Sequence, residues 1–175
     1  MTSSEKMNRK IGLALSGGGV RAAAFHAGVL RWFAERGLIE KIEHISSVSG
    51  GSLFTGLVFH LSGDRWPTST EYINHVYPKI RTLLTTKSLQ MSAIRRLILN
   101  PLNWRFLLSR ANIVSQSIER YWGVSADLDS LPKRPVWSIN GTTAENGRRF
   151  RFKGTQIGDY EIGYANVQKL KLAVA

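Results

Sequence analysis

Two short glycine-rich stretches hold the residues best suited to chemistry: Ser16-Gly17-Gly18-Gly19-Val20-Arg21 and Ser47-Val48-Ser49-Gly50-Gly51-Ser52. Consecutive glycines reach positive φ without steric penalty, so several backbone N–H groups can turn toward one point. Such a nest at the start of a helix attracts an anion. That anion is a phosphate or the transient oxyanion of an acyl transfer, and Arg21 would add positive charge beside either. In the second stretch Ser49 has small neighbours, which is what a sharp strand-to-helix turn needs if it is to project a nucleophilic hydroxyl. The pattern departs from Gly-x-Ser-x-Gly at its first position, where Ser47 replaces glycine. Together the stretches supply a nucleophile and an oxyanion site, both of which acyl transfer requires.

The flanking residues predict the elements that position these turns. A short apolar run over residues 10–16 predicts a strand, and Ala24, Val29, Leu30, Trp32 and Phe33 recur at helical intervals over residues 21–36. Gly37 stops that helix. A second strand over residues 44–48 ends at Ser49 and passes into a helix over residues 52–61. This βαβα order argues for an α/β fold with a parallel sheet. Residues 63–123 form a predicted helical insert, with Ser69 or Thr70 as N-cap and a break near Asn100-Pro101. Residues 136–142 and 148–153 predict two strands joined at Glu145-Asn146-Gly147, where Asn-Gly favours a hairpin turn. Residues 166–175 are apolar and periodic.

Other readings of the same residues stay in view. Ser49 before two glycines also suits a plain helix N-cap. Gly17-x-Gly19-x-x-Ala22 also fits a dinucleotide-binding turn, although Ser47-Val48-Ser49 stands where that motif wants an acid ending the second strand. No Gly-Lys-Ser or Gly-Lys-Thr follows, which excludes a phosphate-binding loop of that type. With 43% hydrophobic residues, the 175-residue chain can build a single core. It lacks cysteine, which excludes disulfides, thiolate metal sites and cysteine nucleophiles. His26, His44, His60 and His75 show no metal-ligand spacing and suit structural roles. The apolar run after Lys6, Arg9 and Lys10 is too short for a signal peptide, and no apolar stretch is long enough to span a membrane. A cytoplasmic protein, peripheral at most, is the expectation.

The string Gly12-Leu13-Ala14-Leu15-Ser16-Gly17-Gly18-Gly19-Val20-Arg21, followed by Ser47-Val48-Ser49-Gly50-Gly51-Ser52, resembles the patatin-like phospholipase family. The resemblance is dense over residues 10–61 and sparser beyond. It implies a three-layer α/β fold, its central, mainly parallel sheet flanked by helices, and hydrolysis of acyl esters of phospholipids or neutral lipids. It also implies a Ser-Asp dyad without a catalytic histidine, and no metal or other cofactor. Ser49 is then the nucleophile, Gly17, Gly18 and Gly19 with Arg21 form the oxyanion loop, and Ser47, Gly50 and Gly51 complete the nucleophile elbow. The family's aspartate precedes Gly-Gly or Gly-Ala, yet none of Asp64, Asp127, Asp129 and Asp159 precedes glycine. Residues 1–175 are accordingly expected to be the N-terminal part of one such domain, with the aspartate beyond them. Since a serine without a base is a poor nucleophile, these residues alone should be inactive or nearly so.

Charge bears on partners. Twenty-four Lys and Arg oppose twelve Asp and Glu, for a formal charge of +12. Residues 72–118 contain no acidic residue, and mix Lys79, Arg81, Lys87, Arg95, Arg96, Arg105 and Arg110 with apolar side chains. Such a stretch suits an anionic membrane surface, and a lipid substrate favours that over nucleic acid. An ordinary solvated helical face is the plain alternative. Two other readings remain: a non-catalytic lipid-binding or scaffold protein of the same fold and, more weakly, a nucleotide-binding domain.

Overall fold

The computed structural model describes residues 10–86 and 115–175. Strand β1 (Ile11–Leu15) leads through the first glycine stretch into helix α1 (Gly19–Ala34), and β2 (Ile42–Val48) leads through the second into α2 (Gly50–Leu61). Both strand-turn-helix units stand where the sequence predicts them. Gly37, at φ 61°, closes the first unit and donates its N–H to Ala34 O at 3.0 Å.

The chain then enters a short turn of helix α3 (Ser69–Glu71), a π-helical turn (Tyr72–Val76) and helix α4 (Tyr77–Thr86). Its N-cap is Thr68, whose hydroxyl accepts from the Glu71 N–H at 3.2 Å, and not Ser69 or Thr70. Ser69 is drawn elsewhere because its N–H and hydroxyl both donate to the Glu40 carboxylate, each at 2.6 Å. Burial alone would raise the Glu40 pKa, but the two bonds from Ser69 hold it below the ordinary value. Residues 87–114, with the expected break at Asn100-Pro101, lie outside the described residues. A second π-helical turn (Ile118–Trp122) ends at Gly123, φ 77°.

Strands β3 (Val136–Thr142), β4 (Arg149–Lys153), β5 (Gln156–Asp159) and β6 (Gly163–Asn166) complete a six-stranded sheet in the order β1-β2-β3-β4-β5-β6. The pairings from β1 to β3 are parallel, and those from β3 to β6 antiparallel. The α/β class holds, with a mixed sheet whose parallel half carries both glycine turns. The β3–β4 hairpin turns where Asn146-Gly147 predicts, Gly147 adopting φ 67° and Asn146 Oδ1 accepting from the Arg148 N–H at 2.9 Å. Residues 166–175 tie back to the loop before β3, through Leu128 N–H to Leu170 O at 2.8 Å and Leu172 N–H to Ala126 O at 2.9 Å.

The core forms where α2 meets the parallel strands. Phe54, Leu57, Val58, Phe59 and Ile45 are fully buried, Leu15, Trp137 and Ile139 are buried beside them, and Phe59 stacks on Trp137 with ring centroids 5.5 Å apart. On the other side of β1 and β2, Gly12, Ala14, His44 and Ser46 are exposed among the described residues. No helix among the described residues is long and apolar enough to cross a membrane.

Candidate active site

Ser49 sits between β2 and α2 with φ 50° and ψ −117°, a conformation costing roughly 1–3 kcal/mol for a residue with a side chain. Its carbonyl starts the helix by accepting from the Leu53 N–H at 2.9 Å, while its hydroxyl makes no capping hydrogen bond. A plain N-cap would have non-strained backbone and an engaged hydroxyl. Here the hydroxyl is left exposed and available at the apex of a strained turn.

The two glycine stretches meet at this point. A methyl group built on Gly50 would fall 2.2 Å from Gly19 O and 2.9 Å from Gly19 N, and one on Gly51 would fall 2.6 Å from Leu15 O. Only glycine allows α2 to start this close to the end of β1 and the beginning of α1. A methyl group on Gly17 would lie 3.3 Å from Ser49 Cβ, so the first loop runs alongside the serine. Gly18 (φ 133°) and Gly19 (φ 61°) carry the positive φ values that the turn into α1 requires. The first N–H groups of α1 have no acceptor within the helix and lie at the positive end of its dipole. His26 closes the loop from behind, its Nε2 lying 3.0 Å from Ser16 O.

Ser47, the departure from the usual elbow glycine, is 1% exposed and bonded on two sides. Its Oγ accepts from Trp137 Nε1 at 2.7 Å and lies 2.9 Å from Ser52 Oγ. The hydroxyl thus joins β2, β3 and α2 directly beneath the turn. Asn140, opposite Val48 in the β2–β3 register, donates through Nδ2 to Ser47 O at 2.9 Å and to Ser46 Oγ at 3.0 Å. Its buried Oδ1 has no hydrogen-bond partner among the described residues.

Ser49 opens onto a cavity of about 420 Å³, walled mainly by Leu53, Ile118, Val124, Trp137, Ile139 and Leu172. Gly56 forms part of its floor, with Trp137 and Leu172 carbons each 3.8 Å from where a Cβ would stand. Gly17, Gly18, Gly19 and Arg21 are not in the cavity wall; Arg21 is exposed in the first turn of α1. None of the four aspartates is in the wall either. Asp159 is buried at the end of β5, its Oδ1 accepting from the N–H groups of Glu161 and Ile162, and Asp129 accepts from Lys169 N–H.

Sequence reasoning located the serine and both turns but missed Trp137, Asn140, Ser52 as a partner of Ser47, and the apolar wall. Trp137 and Asn140 lie on a strand far along the chain, and nothing in their local pattern points to Ser47 or Ser49. The Ser47 departure was itself a signal, since a buried hydroxyl must find partners.

The human GIVD cytosolic phospholipase A2 shares this fold. In complex with methyl gamma-linolenyl fluorophosphonate it aligns with a TM-score of 0.63 at 17% identity, over 97% of this chain and 29% of its own. With that inhibitor and terbium chloride, the figures are 0.58, 19%, 91% and 25%. The chain therefore spans between a quarter and a third of the length of these solved relatives. No curated protein sequence matches it. The family model described as patatin-like phospholipase matches residues 13–160, and the chain belongs to that family of lipid hydrolases.

Proposed function

We propose that this chain carries the nucleophile and oxyanion loop of a serine hydrolase acting on the acyl esters of lipids. The observation that carries the reading is Ser49 itself: an uncapped hydroxyl on a strained turn, beside a glycine loop, at the mouth of an apolar cavity of about 420 Å³. Apolar walls suit an acyl chain and leave the polar ester at the entrance. In this reading Ser49 Oγ attacks the ester carbonyl while its proton passes to a base and on to the departing alcohol. The N–H groups around Gly18 and Gly19 receive the oxyanion, and Arg21 adds positive charge nearby. Water then cleaves the acyl-enzyme and releases the fatty acid. The base is a carboxylate that none of Asp64, Asp127, Asp129 and Asp159 provides at the cavity.

A fluorophosphonate probe tests this, and it suits a fold whose human relative is known in complex with such a compound. The full-length protein should be labelled at Ser49, and Ser49→Ala should abolish the label. Failure to label the full-length protein would leave the second reading, a non-catalytic lipid-binding protein of the same fold. The apolar cavity would serve that reading equally, and retained fatty-acid binding without labelling would establish it.

A further inference from the structure

Helix α1 buries Ala23, His26, Ala27, Leu30 and Ala34 on one face. The opposite face holds Arg21, Phe25, Gly28 and Trp32, spaced four, three and four residues apart, all exposed among the described residues. Phe25 is 67% exposed and Trp32 49%, an unusual position for two large aromatic side chains on one helix stripe. Just past the helix Arg36 extends the stripe, its guanidinium 3.9 Å from the centre of the Trp32 ring. No acidic residue occurs in α1, and Glu35 is paired with Arg31 at 2.9 Å. Arg31 and Arg81 of α4 both line the adjoining groove, where Arg81 adds a positive charge on the neighbouring helix.

We infer that this stripe is a docking surface for an anionic phospholipid bilayer. Phe25 and Trp32 stand two turns and about 10 Å apart along the axis, so both can enter one flat interface. Insertion to the boundary of head groups and acyl chains takes only about 5–10 Å, a depth within reach of these side chains. Arginines at both ends, one stacked on the tryptophan, would meet lipid phosphates while the rings enter the apolar layer. The choice of lipid over another macromolecule rests on the acyl-ester reading of Ser49. The geometry joins the two: α1 begins at Gly19, whose backbone is in contact range of the Ser49 elbow. A bilayer lying along α1 thus brings the mouth of the site close to its substrate.

The test uses the full-length protein with phosphatidylcholine vesicles, with and without phosphatidylglycerol. Phe25→Ser/Trp32→Ser should weaken binding to the anionic vesicles at least tenfold, while hydrolysis of a soluble short-chain nitrophenyl ester stays within about twofold of wild type. Arg36→Gln should weaken anionic binding about fivefold and leave binding to neutral vesicles unchanged. Brominated lipid should quench wild-type fluorescence more than that of Trp32→Phe, which decides the question even where the double variant does not fold. Equal quenching of both proteins, or vesicle binding indifferent to these changes, overturns the inference. Loss of oligonucleotide or protein binding without loss of vesicle binding does so too. Ser49 labelling with stripe-independent vesicle binding sinks the docking surface alone. Stripe-dependent binding without labelling sinks the hydrolase reading alone.

Discussion

The strand-to-helix turns of the parallel half and the hairpin turns of the antiparallel half use glycine for different reasons. In the parallel half, Gly50 and Gly51 are required by contact, because a Cβ at either would strike the backbone of another segment. In the antiparallel half a Cβ on Gly158 of β5 would also fall 2.1 Å from Gly163 O, but at the hairpin turns Gly147 and Gly154 have positive φ with open space around them, so only local backbone preference is at stake there. The parallel half is also tied by side-chain bonds across elements, notably Trp137 to Ser47 and Ser69 to Glu40. Strand β6, at the far edge, is exposed throughout. Close approach between the two glycine stretches therefore lies where Ser49 must be held in a strained conformation, and the hairpin turns at Gly147 and Gly154 are left tolerant.

Substitutions that add or remove single contacts should separate the turns around Ser49 from the hairpin turns. Gly51→Ala drives a methyl group to 2.6 Å from Leu15 O and should cost about 3 kcal/mol or more, read as a fall in denaturant midpoint or failure to fold. Trp137→Phe keeps an aromatic side chain but removes both the donor to buried Ser47 and part of the indole packing, and should cost about 2–3 kcal/mol while reducing Ser49 labelling. Gly147→Ala adds strain at φ 67° with no clash, and should cost only about 1 kcal/mol without touching labelling. A Gly147→Ala as damaging as Gly51→Ala would erase the contrast.

The smallest effect is expected at Ser69. Because Glu40 has a lowered pKa in the folded protein, its stabilising contribution is fully present above the ordinary Glu value and is lost as pH falls through the folded one. Ser69→Ala should therefore cost about 1 kcal/mol near neutral pH, where Glu40 is ionised, and the difference from wild type should shrink as pH falls below the ordinary Glu value and Glu40 is protonated. A difference that does not vary with pH would remove Glu40 from the account.

Much of the site was legible in the sequence because its requirements are local. Positive φ at Gly18 and Gly19, small residues around Ser49 and a strand-to-helix switch all leave marks within a few neighbouring residues. The Asn146-Gly147 hairpin and the Gly37 stop were readable for the same reason. Strands β5 and β6 were not, since β5 buries a glycine and an aspartate, β6 is exposed throughout, and four residues carry little hydrophobic pattern. The N-cap is Thr68, one or two residues before the expected Ser69 or Thr70, because the partner that claims Ser69, Glu40, is 29 residues away.

The amino-acid sequence by itself determined where the chain turns, which serine stands at the apex and which glycines surround it. Only the tertiary structure decided that the two turns touch, that Ser47 is held by Trp137, and that Ser49 faces an apolar cavity closed by residues as distant as Leu172. It also decided that Phe25 and Trp32 face outward, although their spacing with Val29 and Phe33 looks like that of an ordinary core-facing helix. Backbone conformation depends on near neighbours, whereas burial and side-chain pairing depend on which remote segments the sheet brings together.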